Sequence, residues 1–135
     1  MKIGLIRGRH PLPVEKCLIE QAEVPFDQAH RMAYDAMQKL LSEHAGDVDL
    51  YITGLKRATL GAVAGWINHY DRIEPAEYSS AAPESRTLRI WEYNAVTGQY
   101  ESVIAFRSGA IMTEVLYCQG SYQFVWGTYA LMEGT

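Results

Sequence analysis

The amino-acid sequence predicts an α/β fold: a single mixed-sheet domain over residues 1–135, with two main helices and a C-terminal antiparallel hairpin region. Three observations predict it. In the first half, apolar runs of strand length alternate with two longer stretches whose apolar residues recur every three or four positions, an order that lays strands side by side in one sheet. In the second half the period changes to two, with alternation on both sides of an Asn…Gly turn. A chain of 135 residues, 48% of them apolar, is also long enough for one domain to bury a core without disulfides or metal.

Lys2–Ile6 reads as a short buried strand, closed by Arg7-Gly8-Arg9-His10 and then by Pro11 and Pro13. Residues 17–24 alternate in part, with Cys17, Ile19 and Val24 apolar. Glu20, Gln21 and Glu23 suit an exposed edge strand there, and a short helix after Pro13 is the competing reading. A helix is predicted over 27–44, where Ala29, Met32, Ala33, Ala36, Met37, Leu40 and Leu41 fall on one stripe. Asp27 is placed to cap its start and Gly46 to mark its end. Val48–Ile52 is the next strand, and a second helix follows over 58–70, with Val63, Trp66, Ile67 and Tyr70 apolar. Its Gly61 and Gly65 cost helix propensity; by removing side chains from adjacent turns they predict close approach to a sheet or another helix. Residues 71–85, with two prolines, two serines and several alanines, read as an exposed loop. Residues 87–93 and 99–106 flank the turn Asn94-Ala95-Val96-Thr97-Gly98 and read as a β-hairpin. The tail over 111–132 is rich in Val, Tyr, Phe and Trp around a Gln119-Gly120 turn, so further strand is expected.

The net charge of −4 argues against a nucleic-acid polymer as partner, because such binding rests on neutralising many phosphates. It leaves room for a local basic pocket that takes a small phosphorylated molecule. Cys17 and Cys118 lie far apart, with no CxxC and no histidine at metal-ligand spacing, which predicts reduced thiols, no metal and no cofactor. The N-terminus lacks a signal-peptide core and no apolar run reaches bilayer-spanning length, so the expectation is a cytoplasmic protein with no membrane partner.

The stretch Asp49-Leu50-Tyr51-Ile52-Thr53-Gly54-Leu55-Lys56-Arg57-Ala58-Thr59 points most directly to a ligand. A strand ends in Thr53-Gly54, basic residues follow, and a helix begins at once. Helix N-termini carry unpaired N–H groups and the positive end of the helix dipole, and a glycine lets the backbone approach an anion. The competing reading is a plain strand-to-helix turn. Neither GxxxxGK[ST] nor GxGxxG is present, so a phosphate here would be held without the standard nucleotide fingerprints. If the strands Lys2–Ile6 and Val48–Ile52 run parallel, Arg7, Arg9, Thr53 and Arg57 converge at one sheet edge, where open α/β sheets gather ligands. Pairing of Arg7 and Arg9 with carboxylates such as Glu15 and Glu20 is the alternative. In the hairpin, Trp91 can stack on a base and Asn94 read its edge, with Tyr93 and Tyr100 nearby. Cross-strand aromatic packing and an Asx turn explain the same residues without a ligand.

Catalytic constellations are mostly missing. Of His10, His30, His44 and His69, only His10 stands beside arginines after a strand. The run Leu5-Ile6-Arg7-Gly8-Arg9-His10 is faintly similar to the Arg-His-Gly motif of histidine phosphatases, with its order broken. No GxSxG elbow occurs, and neither cysteine has an obvious activating partner.

The pattern strand–Thr53-Gly54-Leu55–helix, followed by Trp91-Glu92-Tyr93-Asn94-Ala95-Val96-Thr97-Gly98-Gln99-Tyr100, resembles the first type of Thoeris anti-defence proteins of phages, a family of sponges. The resemblance covers residues 2–10 and 49–100 and has no counterpart after Phe106. It implies a homo-oligomer that sequesters immune signals of the cyclic ADP-ribose type, with cyclic oligonucleotides as a further ligand class, and does not cleave them. On that reading Arg7, Arg9 and Arg57 hold phosphates, His10 lines the ligand site beside them, Thr53 and Gly54 cradle one phosphate, and Trp91 with Asn94 holds a base. Two rival classes stay open: an enzyme that degrades such a signal with His10 as acid or base, and a protein-binding inhibitor whose contact stripe is Tyr122, Phe124 and Trp126.

Overall fold

A computed structural model of the chain describes residues 1–7, 12–21, 23–44, 46–52, 55–71, 86–108 and 113–119. The elements are β1 (Lys2–Ile6), β2 (Cys17–Ile19), α1 (Ala29–Glu43), β3 (Val48–Ile52), α2 (Lys56–Asp71), β4 (Arg86–Asn94), β5 (Gln99–Ser108) and β6 (Thr113–Cys118). They build an α/β fold on one mixed sheet in the order β2-β1-β3-β4-β5-β6. The first four strands of that order are parallel, and β5 and β6 continue it as antiparallel neighbours. From β1 the chain passes to β2 on one side; from β3 it passes through α2 to β4 on the other. The sheet therefore has a topological switch between β1 and β3.

Alternation along the strands gives the sheet two unlike faces. One carries Val48, Leu50, Ile52, Leu88, Ile90, Ile104 and Phe106 into a core shared with both helices. From α1 that core receives Ala29, Ala33, Met37 and Leu41, four members of the stripe expected from the sequence. From α2 it receives Ala58, Ala62, Val63, Trp66 and Tyr70. The two glycines of α2 serve its contact with α1. A methyl group on Gly61 would run into the carbonyl of His30, and one on Gly65 would lie 2.7 Å from the carbonyl oxygen of Tyr34. Two polar bonds lock the seam: the Gln38 amide donates to the Gly65 carbonyl at 2.9 Å, and the Asn68 amide donates to the Tyr34 hydroxyl at 2.9 Å.

Several boundaries differ from expectation for local reasons. α1 begins at Ala29 after Gln28, whose N–H is held by the Pro25 carbonyl at 3.0 Å, so the chain turns there and no side chain caps the helix. β2 stops at Ile19 because Glu20 folds back onto the strand: its carboxylate accepts the Cys17 N–H at 2.8 Å. α2 starts at Lys56, two residues earlier than the apolar pattern suggested. The hairpin forms around the expected turn, with Gly98 at φ 71°. Val103 is an extra residue in β5 at a bulge opposite Ile90 and Trp91. The expected loop falls almost wholly on residues 72–85, which lie outside the described residues, as does the tail from 120 onward. Among the described residues no helix is long and apolar enough to cross a membrane.

Candidate functional site

The carboxyl ends of β1 and β3 lie side by side, because the strands are parallel with Lys2 opposite Asp49 and Gly4 opposite Tyr51. Arg7, just past β1, and the first turn of α2, just past β3, therefore share one end of the sheet. Arg9, His10, Thr53 and Gly54 lie outside the described residues.

Arg7 is half-buried and engaged. Its Nε donates to Glu20 Oε2 at 3.1 Å and its Nη2 donates to the Glu15 carbonyl at 2.6 Å. Glu20 thus joins Arg7 to the Cys17 N–H and closes the outer edge of β2. The Cys17 hydrogen bond, then the Arg7 guanidinium, hold the Glu20 carboxyl below its ordinary range, and the Glu20 bond raises Arg7 in turn. Burial pushes the Cys17 and Cys118 thiols up, so both free cysteines are poor nucleophiles. Arg57 is exposed in the first turn of α2, with its guanidinium 4.1 Å from the centre of the Phe26 ring. That cation–π contact holds the arginine beside the helix start without consuming its hydrogen-bond donors.

One residue at this end was not singled out from the sequence. Glu92 stands opposite Ile52 on β3 and Glu101 on β5, on the helix side of the sheet in line with Leu88 and Ile90. Its Oε2 is buried and has no hydrogen-bond partner among the described residues. The signal was readable: counting by two from Leu88 and Ile90 brings a carboxylate inward at position 92.

Among the described residues no helix packs on the other face of the sheet. Across it run two rows, Lys2–Asp49–Arg89–Ala105 and Gly4–Tyr51–Trp91–Ser102, followed by the pair Tyr93–Tyr100. Trp91 Nε1 donates to Asp49 Oδ1 at 2.9 Å, which fixes the indole. Tyr51 packs tilted against Trp91, with ring centres 5.8 Å apart, and stacked on Tyr100 at 5.2 Å; Tyr93 meets Tyr100 edge-on at 5.5 Å. Burial raises the Tyr51 and Tyr100 hydroxyls above their ordinary range, so they stay neutral donors. The Ser102 and Tyr117 hydroxyls share a hydrogen bond further along the face. Asn94 caps the hairpin turn: its Oδ1 accepts the N–H groups of Val96 at 2.9 Å and Thr97 at 3.4 Å, and its Nδ2 donates to Glu101 at 3.2 Å. Arg7 and Arg57 are thus brought to one sheet end, whereas Trp91 lies on the face away from α2.

A cleft of about 990 Å³ opens elsewhere, flanked by the starts of β1 and β2 and the last turns of α1. Lys2, Lys16 and Lys39 rim an apolar floor that includes Leu18 and Leu40. None of the site residues expected from the sequence lines it. Among the described residues no cluster of three or more His, Cys, Asp or Glu side chains is arranged to hold a metal ion. No family model, curated protein or solved structure matches the chain.

Proposed function

We propose that the protein binds a small nucleotide-derived anion at the carboxyl end of β1 and β3 and captures it without cleaving it. The observation that carries this reading is the topological switch between β1 and β3, with Arg57 at the start of the helix that follows β3. Open α/β sheets bind ligands in the crevice outside such a switch, where a helix N-terminus offers N–H groups to phosphate oxygens. Arg57 adds a guanidinium already oriented by Phe26. Glu92, whose buried oxygen at the same end has no hydrogen-bond partner among the described residues, suits the hydroxyl groups of a ribose. Arg7 stabilises the edge of β2 and shapes the rim rather than meeting the ligand first.

The resemblance of residues 2–10 and 49–100 to the Thoeris anti-defence sponges supplies the ligand class, signals of the cyclic ADP-ribose type, and the expectation of a cytoplasmic homo-oligomer. Isothermal titration with cyclic ADP-ribose isomers and cyclic dinucleotides tests the reading. It predicts saturable heat with at least one of them and loss of that heat in Arg57→Ala; no heat with any of them refutes it.

Glu92 favours one second reading, signal degradation, because a carboxylate with one buried oxygen is also a candidate general base. Incubating ligand with protein and then denaturing the protein separates the two. Capture returns intact ligand, whereas degradation returns products.

A further inference from the structure

The face of the sheet turned away from α1 and α2 carries chemistry that the carboxyl-end site does not use. Tyr93 is 39% exposed at the end of the aromatic cluster, with its ring edge-on to Tyr100. Trp91, two residues earlier on β4, is held by the 2.9 Å hydrogen bond from its indole N–H to Asp49 Oδ1. The described part of this face is also electropositive for an acidic chain. Lys2 and Arg89 flank Asp49 in one cross-strand row, and both cations are exposed. Arg89 precedes Tyr93 by four residues on the same face, about 14 Å along a strand at roughly 3.4 Å per residue. The sugar-phosphate of one nucleotide, met by an arginine side chain, spans such a gap.

We propose that this face is a stacking platform for a single nucleotide, with the base on the exposed ring of Tyr93, the sugar over Trp91, and the phosphate toward Arg89. The proposal rests on the reading of the protein as a nucleotide binder and assigns the base-recognition surface that the carboxyl end lacks. Stacking on aromatic rings tolerates any base because every base has a π-face, so the platform selects planar aromatic ligands rather than one sequence. The positive row is what favours a phosphorylated ligand over a free base on a chain of net charge −4.

Calorimetric titration of the whole protein with AMP, adenosine, inorganic phosphate, cyclic ADP-ribose and a short oligoadenylate tests the platform, in the wild type and in Tyr93→Ala, Tyr93→Phe, Arg89→Ala and Arg57→Ala. Tyr93→Ala is expected to weaken AMP and adenosine alike, about ten-fold or more, while Tyr93→Phe retains wild-type affinity. Arg89→Ala is expected to erase the preference for AMP over adenosine. Arg89 is exposed, so that variant reports on the proposal even if Tyr93→Ala folds poorly. Where cyclic ADP-ribose binds and AMP does not, the same comparison is read on cyclic ADP-ribose. Nucleotide binding unchanged in the Tyr93 and Arg89 variants but lost in Arg57→Ala overturns the platform and leaves the carboxyl-end site standing. No heat with any nucleotide overturns both, and oligoadenylate binding far tighter than AMP replaces the single-nucleotide occupant with a polymer.

Discussion

Glu20 shows how much one side chain decides here. It accepts the Cys17 N–H, pairs with Arg7, and so both closes the outer edge of β2 and engages the Arg7 guanidinium. Its carboxyl titrates below the ordinary glutamate range in the folded protein. A depressed carboxyl contributes stability that is fully present above its unfolded value and is lost as pH falls through the lower folded value. Glu20→Gln is therefore expected to flatten the acid limb of a urea-midpoint profile taken from pH 6 down to pH 3, with little change near neutrality beyond a constant offset. An unchanged acid limb would contradict the pairing. Gly61 makes the opposite kind of demand, for the absence of a side chain. Gly61→Ala gains up to about 1 kcal/mol of helix propensity but forces α2 away from the His30 carbonyl. Overpacking of this kind costs about 1–3 kcal/mol and more when backbone must move, so urea unfolding should show net destabilisation. Net stabilisation would mean that the helices do not touch at Gly61.

At the scale of elements, the hairpin depends on its turn. Asn94→Ala removes the acceptor for the Val96 and Thr97 N–H groups and the donor to Glu101, and is expected to cost about 1 kcal/mol. Thermal unfolding checks this, and affinity for nucleotide should hold, since the Asn94 side chain is committed to the turn. The strands Lys2–Ile6 and Val48–Ile52 were legible to the residue, because short apolar stretches closed by Arg7-Gly8 and by Thr53-Gly54 admit few other readings. The helical stripe of α1 and the role of Gly61 and Gly65 were legible too, from spacing alone. The end of β2 was not, because it is set by the Glu20 carboxylate accepting the N–H of Cys17, three residues earlier. At the site, the engagement of Arg7 by the 15–20 segment was visible as an alternative, although Glu15 contributes its backbone carbonyl rather than its carboxylate. The separation of Trp91 from Arg57 required knowing which face of β4 turns toward α2, and that follows from cross-strand register. Periodicity gives two faces without saying which one a helix will cover.

For the molecule as a whole, the sheet sorts its chemistry by surface. The helix-covered face holds the apolar core, the carboxyl end gathers Arg57, Glu92 and the start of α2, and the face turned away from α1 and α2 carries aromatic rings beside Lys2 and Arg89. Capture requires only that a ligand be held, so strong donors and stacking faces are sufficient. A ligand that binds the native state alone must also stabilise it in proportion to its concentration over Kd, by roughly 2.7 kcal/mol at a hundred-fold excess. Nucleotide-dependent rises in melting temperature should therefore follow calorimetric affinity across the same panel. The most direct measurement incubates stoichiometric protein with cyclic ADP-ribose isomers, denatures the protein and analyses the released small molecules by chromatography. The account predicts depletion of free ligand before denaturation and full recovery of intact ligand after it; ligand that stays free throughout, or returns as hydrolysis products, would contradict it.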